Sequence, residues 1–301
     1  MSNNFFGKTL VSVCSFFVYC ALSGCAINTF LVDQVAKTVV TEDNQEEDLI
    51  LARDASPFYL KLTENLLSSS PANLKLAESV SSGFTQYAYA FIAFEADKLE
   101  GRDFKGAEVL RERASKMYAR GYHHAMKALE LKFSGFEARL RSTDDLMRGL
   151  SVGQSHVGLL YWSAASLGGW ISTAKDQPDL VADFPVAMRL AQLAWRLNPS
   201  YSEGSLASLM GSFEWADPNG SKLKAKQYFD LAIEYAKERN GGPYVSKAER
   251  IAVSVKDKQM FESLLNKAIS IAQKSPSLQN ETMKLRALWL LENEEDLIES
   301  E

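Results

Sequence analysis

Residues 187–199 read AMRLAQLAWRLNP, and this stretch decides the fold class. Ala187, Ala191, Ala194 and Pro199 follow at intervals of 4, 3 and 5, the pattern of the second helix of a tetratricopeptide repeat. Small residues three and four apart share one helix face and let a partner helix approach closely. The proline, which lacks an N–H, ends the helix and opens the turn to the next hairpin. The same intervals recur at Leu264, Ala268, Ile271 and Pro276, with larger residues at two positions. Ala225, Phe229 and Ala232 form a third copy without the proline, and Ala114, Tyr118 and Gly121 a weaker fourth. First-helix signatures are poorer: Leu167-Gly168 precedes the 187 copy and Met210-Gly211 precedes the 225 copy. Stacked hairpins of this kind bury a continuous core and leave a concave face. The expectation is an all-α chain of degenerate tetratricopeptide-like hairpins, stacked as a solenoid around a central cavity or pore.

The surrounding sequence agrees with a helical class. Residues 72–177 contain no proline and are rich in Ala, Leu, Glu, Lys and Arg, with apolar residues three and four apart. No run alternates apolar and polar residues as a half-buried strand would. Pro57, Pro71, Pro178, Pro185, Pro199, Pro218, Pro243 and Pro276 fall mostly where helices should start or stop. A first helix is predicted over residues 48–68 and a packed helical domain over 48–291. Residues 292–301 carry Glu292, Glu294, Glu295, Asp296, Glu299 and Glu301 and read as a solvated helix end or tail.

The N-terminus has the three parts of a secretory signal. Met1–Lys8 is polar with one positive charge, Thr9–Leu22 is uncharged and mainly apolar, and Leu22-Ser23-Gly24-Cys25 follows. The apolar run is shorter than the roughly 20 residues that span a bilayer. A branched residue, two small residues and a thiol at the cleavage point look like a bacterial lipobox. Residues 1–24 are therefore expected to leave as a signal peptide, Cys25 to carry lipid, and residues 25–47 to form a tether. Cys14, Cys20 and Cys25 are the only cysteines, so the processed chain would keep no free thiol and no disulfide. Ala26 in place of an aspartate favours the periplasmic face of the outer membrane over the inner one.

Loss of Lys8 with the signal leaves 32 basic against 38 acidic groups, a net charge of −6. That balance, with no basic patch interleaved with aromatics, argues against nucleic acid as a partner. The three histidines make no catalytic pattern. His123 and His124 project about 100° apart on a helix and read as surface residues, not a metal pair. His156 has no acidic partner at helical spacing, and no nucleophile elbow or phosphate-binding loop is present. Gly168-Gly169 sits inside a helical pattern, and Asp144-Asp145 reads as a helix cap. The chain is thus expected to have no catalytic residues, no metal site and no cofactor.

Aromatic density is what stands out. YWSAASLGGWI at 161–171 sets Tyr161, Trp162 and Trp170 among small residues. The eight-residue and nine-residue separations are read as placing Trp162 and Tyr161 on one broad face with Trp170. Such a face suits close helix packing, the favoured alternative, or a lined cavity. Tyr118, Tyr122, Phe213 and Trp215 join these three as the candidate lining residues.

At this length the residues resemble the TatT family of periplasmic lipoproteins associated with TRAP transporters. The resemblance rests on LSGC at 22–25, ARGYHHAMKALE at 119–130, GLLYWSAASLGGWI at 158–171 and LVADFPVAMRLAQLAWRLNPSY at 180–201. It continues through DPNGSKLKAKQYFDLAIE at 217–234 and AVSVKDKQMFESLL at 252–265. It implies a non-enzymatic accessory protein with a ligand-sized pore, a homotrimer, and docking of a periplasmic TRAP substrate-binding protein. The implied ligand is a small organic molecule, hydrophobic or not. The polar stretch Gly241–Arg250 and the segment from Gln279 onward match the family pattern less well. A lipoprotein scaffold that binds proteins and no ligand is the other reading of the same residues.

Overall fold

The computed structural model describes residues 46–142 and 151–299. Cys25, the signal segment and the Asp144-Asp145 cap lie outside them. The described residues form helices joined by short turns, with no strand among them, as expected for an all-α chain. The helices used below are α1 (Leu49–Ser69), α2 (Leu74–Ala88), α3 (Phe94–Leu99), α4 (Phe104–Lys132), α5 (Phe136–Arg141), α6 (Val157–Thr173), α7 (Phe184–Leu197), α8 (Ser205–Ala216), α9 (Lys222–Ala236), α10 (Gly242–Lys247), α11 (Lys258–Lys274) and α12 (Leu278–Glu292).

Their starts are written in the sequence. The side chains of Asp48, Asn73, Asp103, Ser221, Asp257 and Ser277 each accept a backbone N–H of the first turn that follows, which satisfies donors a helix N-terminus leaves orphaned. Seven prolines sit at or beyond helix ends. Pro57 is the exception, lying inside α1. The interior ring costs one helical hydrogen bond, and α1 absorbs it because Pro57 is exposed while Leu60, Thr63, Glu64 and Leu67 anchor the helix beyond it.

Helices α2, α4, α6 and α7 pack side by side, and α8 packs on α9 and α11 on α12. The small residues of the repeated pattern lie at these seams. Ala187, Ala191, Ala194, Ala225, Phe229, Ala232 and Ala268 have no exposed surface. In α11 only the first position of the pattern departs from expectation: Leu264 is half-buried while its neighbour Leu265 is buried. One core runs from Leu60 to Phe213 and a second from Ala236 to Ile298, with Tyr89 packed against both. Tyr244 and Val245, in the stretch read as polar, belong to the second core. The acidic segment is helical through Glu299 and buries Ile298. The last long helix, α12, touches the first, α1.

Candidate functional site

Helix α6 has no charged residue and is apolar or small on every side, the composition of a helix surrounded by protein. It packs against α2, α4, α7 and α8. Two glycines admit its bulkiest neighbours. A Cβ on Gly169 would stand 2.5 Å from the Tyr118 ring, and one on Gly168 would stand 2.6 Å from the Phe213 ring. Tyr118 and Phe213 therefore fill notches that only glycine leaves open. Between α2 and α6, Thr85 Oγ1 lies 2.7 Å and Ser81 Oγ 3.2 Å from Ser166 Oγ, so the small polar residues at this seam satisfy one another.

The seven candidate aromatics fall into four groups. Trp170 meets Tyr122 at 6.2 Å and His123 at 5.2 Å between ring centroids, beside Tyr118 on α4. Tyr161 meets Trp162 at 4.8 Å and Tyr201 at 5.3 Å, towards the other end of α6. Phe213 meets Phe184 at 5.5 Å. Trp215 stands apart, with Lys222 Nζ 4.0 Å above its ring. Tyr161 and Trp170 thus do not share a face: nine residues at 100° each is about half a turn. Tyr118, Tyr122 and Phe213 are buried, whereas Tyr161, Trp162, Trp170 and Trp215 keep part of their surface.

Burial pushes the Tyr161 phenol up to about 12, against a lowering hydrogen bond with Ser205. Tyr122 is also pushed up to about 12, by burial first and by Glu137 second. Its hydroxyl has no hydrogen-bond partner among the described residues although the residue is 6% exposed. Tyr118 is raised by burial and by Tyr89 and Asp97, against Arg286. A cleft of 230 Å³ lined by Lys258, Leu291 and Glu292 to Asp296 shares no residue with the aromatic set.

Two charge clusters escaped the sequence reading. Glu64, 8% exposed, receives His124 Nε2 at 2.7 Å, Lys61 Nζ at 2.6 Å and both Nε and Nη2 of Arg120, the latter at 2.6 Å. Burial raises this carboxylate, but the hydrogen bonds from Arg120, Lys61 and His124 outweigh it and hold Glu64 down at about 2. His124 is therefore a half-buried partner of Glu64, four residues from Arg120 on the same face of α4, and not the surface residue expected. His123 is exposed and leans on Trp170. The second cluster centres on Arg286, which donates to Glu249 from Nε at 2.8 Å and to Asp97 from Nη1 at 2.5 Å. Its guanidinium lies 5.1 Å from the Phe94 ring centre and 4.9 Å from that of Trp289. Each cluster had a sequence signal, a charge on an apolar stripe: Glu64 between Leu60 and Leu67, and Arg286 between Met283 and Leu290.

Among the described residues no group of three His, Cys, Asp or Glu side chains could hold a metal ion, and no helix is long and apolar enough to cross a membrane. The family model of the TRAP transporter T-component matches residues 45–298, through the stretches that looked less well matched. A Treponema pallidum (strain Nichols) protein described only as uncharacterized is 27% identical over 237 residues, covering 77% of this chain and 73% of its own length.

Proposed function

The chain belongs to the TRAP transporter T-component family, and on that premise we propose that it is a lipid-anchored, non-catalytic accessory protein of a TRAP system. Cys25 carries the anchor on the periplasmic face, in the outer membrane by the residue that follows it. The paired helices stack as degenerate tetratricopeptide-like repeats, in a homotrimer, and offer a surface to a periplasmic substrate-binding protein. A small organic ligand is held or passed against the aromatic set.

The observation that carries this reading is the family match over the full span from the first helix to the last. Helix α6 narrows it. Tyr118 and Phe213 are taken up by glycine notches and serve packing. Tyr161, Trp162 and Trp170 keep accessible surface and remain the residues for a ligand to meet. The ring faces give such a ligand apolar area, while the Tyr122 hydroxyl gives it a buried donor.

A scaffold without ligand is the second reading, favoured by the tight seating of Tyr118 and Phe213. Two measurements on the purified chain separate them. Sedimentation with and without the TRAP substrate-binding protein of the same organism should show a trimer and a mixed complex. Native mass spectrometry should show a small organic molecule that Trp170→Ala abolishes. A monomer that captures no binding protein would overturn the accessory role, and a ligand-free complex would leave the scaffold.

A further inference from the structure

Helix α1 presents an apolar face that is exposed among the described residues. Five of the thirteen exposed large apolar side chains among the described residues fall between positions 50 and 62: Ile50, Leu51, Phe58, Tyr59 and Leu62. Phe58 is 69% exposed and Leu51 56%. The other eight are spread over residues 104–288. Leu51, Phe58 and Leu62, separated by seven and four residues, form one stripe about 16 Å long at 1.5 Å per residue. The stripe lies opposite the buried row Ala52, Leu60, Thr63, Glu64 and Leu67. Thr63 and Glu64 are held by hydrogen bonds, so the helix cannot roll its apolar face inward without tearing Glu64 from Arg120 and His124.

We infer that this stripe lies on a phospholipid surface and orients the domain against the membrane that holds its anchor. The inference rests on the reading of Cys25 as the lipidated residue. Residues 26–47 join that cysteine to the first turn of α1, and 22 residues extend at most about 75 Å. Helix α1 is therefore the part of the described chain nearest the membrane along the sequence. Tethering supplies the effective concentration that a three-residue stripe lacks by itself. The chemistry suits a zwitterionic surface over an anionic one. The charges along α1 are balanced or acidic: Asp54, which edges the stripe between Leu51 and Phe58, is paired with Arg53, Lys61 is paired with Glu64, and Glu46, Glu47 and Asp48 precede it. Phe58 and Tyr59, in edge contact at 5.9 Å, are the residue types that settle where acyl chains meet headgroups.

The test uses the full lipidated chain in phosphatidylcholine–phosphatidylethanolamine vesicles, with single substitutions Phe58→Cys, Leu62→Cys and, as a control on the exposed face of α4, Glu112→Cys. Each is labelled with a polarity-sensitive fluorophore. The probes at 58 and 62 should shift to the blue and lose most of their emission to brominated lipid, while the probe at 112 does neither. Probes at 58 and 62 that brominated lipid leaves bright would overturn the inference. So would a blue shift that follows protein concentration and not lipid, which would assign the stripe to a second copy of the chain. Absence of acyl mass on Cys25 would refute the anchor alone. The chain is then held to nickel-chelating vesicles by a histidine tag placed before residue 26, and the same three probes read α1 by the same two outcomes.

Discussion

The two ends of the molecule are fastened by charge clusters of opposite design. On α1 a single carboxylate, Glu64, is surrounded by Arg120, His124 and Lys61. On α12 a single guanidinium, Arg286, is held by Asp97 and Glu249 and covered by Phe94 and Trp289. Glu64 joins neighbours in one core, since α4 packs beside α1's partner α2. Arg286 joins residues from different parts of the chain, 189 positions from Asp97 and 37 from Glu249. Two π-helical turns, Tyr89–Ala93 and Ala248–Ala252, flank this second junction. Such turns are uncommon and often mark places where a helix is bent to a purpose. The difference teaches that the first helix is secured locally, while the last is secured by the closure of α12 onto α3 and α1.

The strongest way to break the comparison is Arg286→Ala. It leaves the half-buried Asp97 and Glu249 without their shared counterion and uncovers Phe94 and Trp289. Because both carboxylates reach solvent, the cost should sit near the low end of the about 3–5 kcal/mol for breaking a buried pair. Urea unfolding should then show the second core melting separately; a single unchanged transition would mean that Arg286 does not couple the two cores. Glu64→Ala should cost less, about 2–3 kcal/mol, because Arg120 and Lys61 can turn to solvent. Hydrogen exchange confined to α1 would mark the loss as local, and uniform acceleration would contradict it.

A finer contrast lies along α6. Gly169→Ala should cost about 1–3 kcal/mol by overpacking against Tyr118. Trp170→Ala, at a half-exposed position, should change thermal stability by about 1 kcal/mol or less while removing bound ligand. If both variants melt alike, the division of α6 into packing and ligand sides fails.

A last expected effect is one of pH. Glu64 is held well below its unfolded value, so its contribution is fully present above that unfolded value, near 4.3. It fades as pH falls through the folded value of about 2. Thermal melts should steepen their pH dependence across this window in the wild type, and Glu64→Gln should flatten it. A slope unchanged by the substitution would place the acid sensitivity elsewhere.

Much of this was legible beforehand, for physical reasons. The alanine spacing at 187–194 acts within a few residues of chain, so its period exposes it; the caps at Asp103 and Ser221 act as locally but were not singled out. The helix predicted over 48–68 runs through Pro57, because the cost of the ring is local and the packing of Leu60 and Leu67 offsets it. The aromatic set was grouped wrongly, since nine helical positions separate faces that the sequence prints close together.

What the sequence by itself determined is the helical class, most helix ends and which faces carry small residues, because backbone hydrogen bonding and side-chain period are short-range. Only the tertiary structure decided which charges are buried, which aromatics are sealed by Gly168 and Gly169, and which face of α1 remains bare. Those outcomes depend on atoms 56 or 189 positions apart meeting within hydrogen-bond distance, and no local period encodes such a meeting.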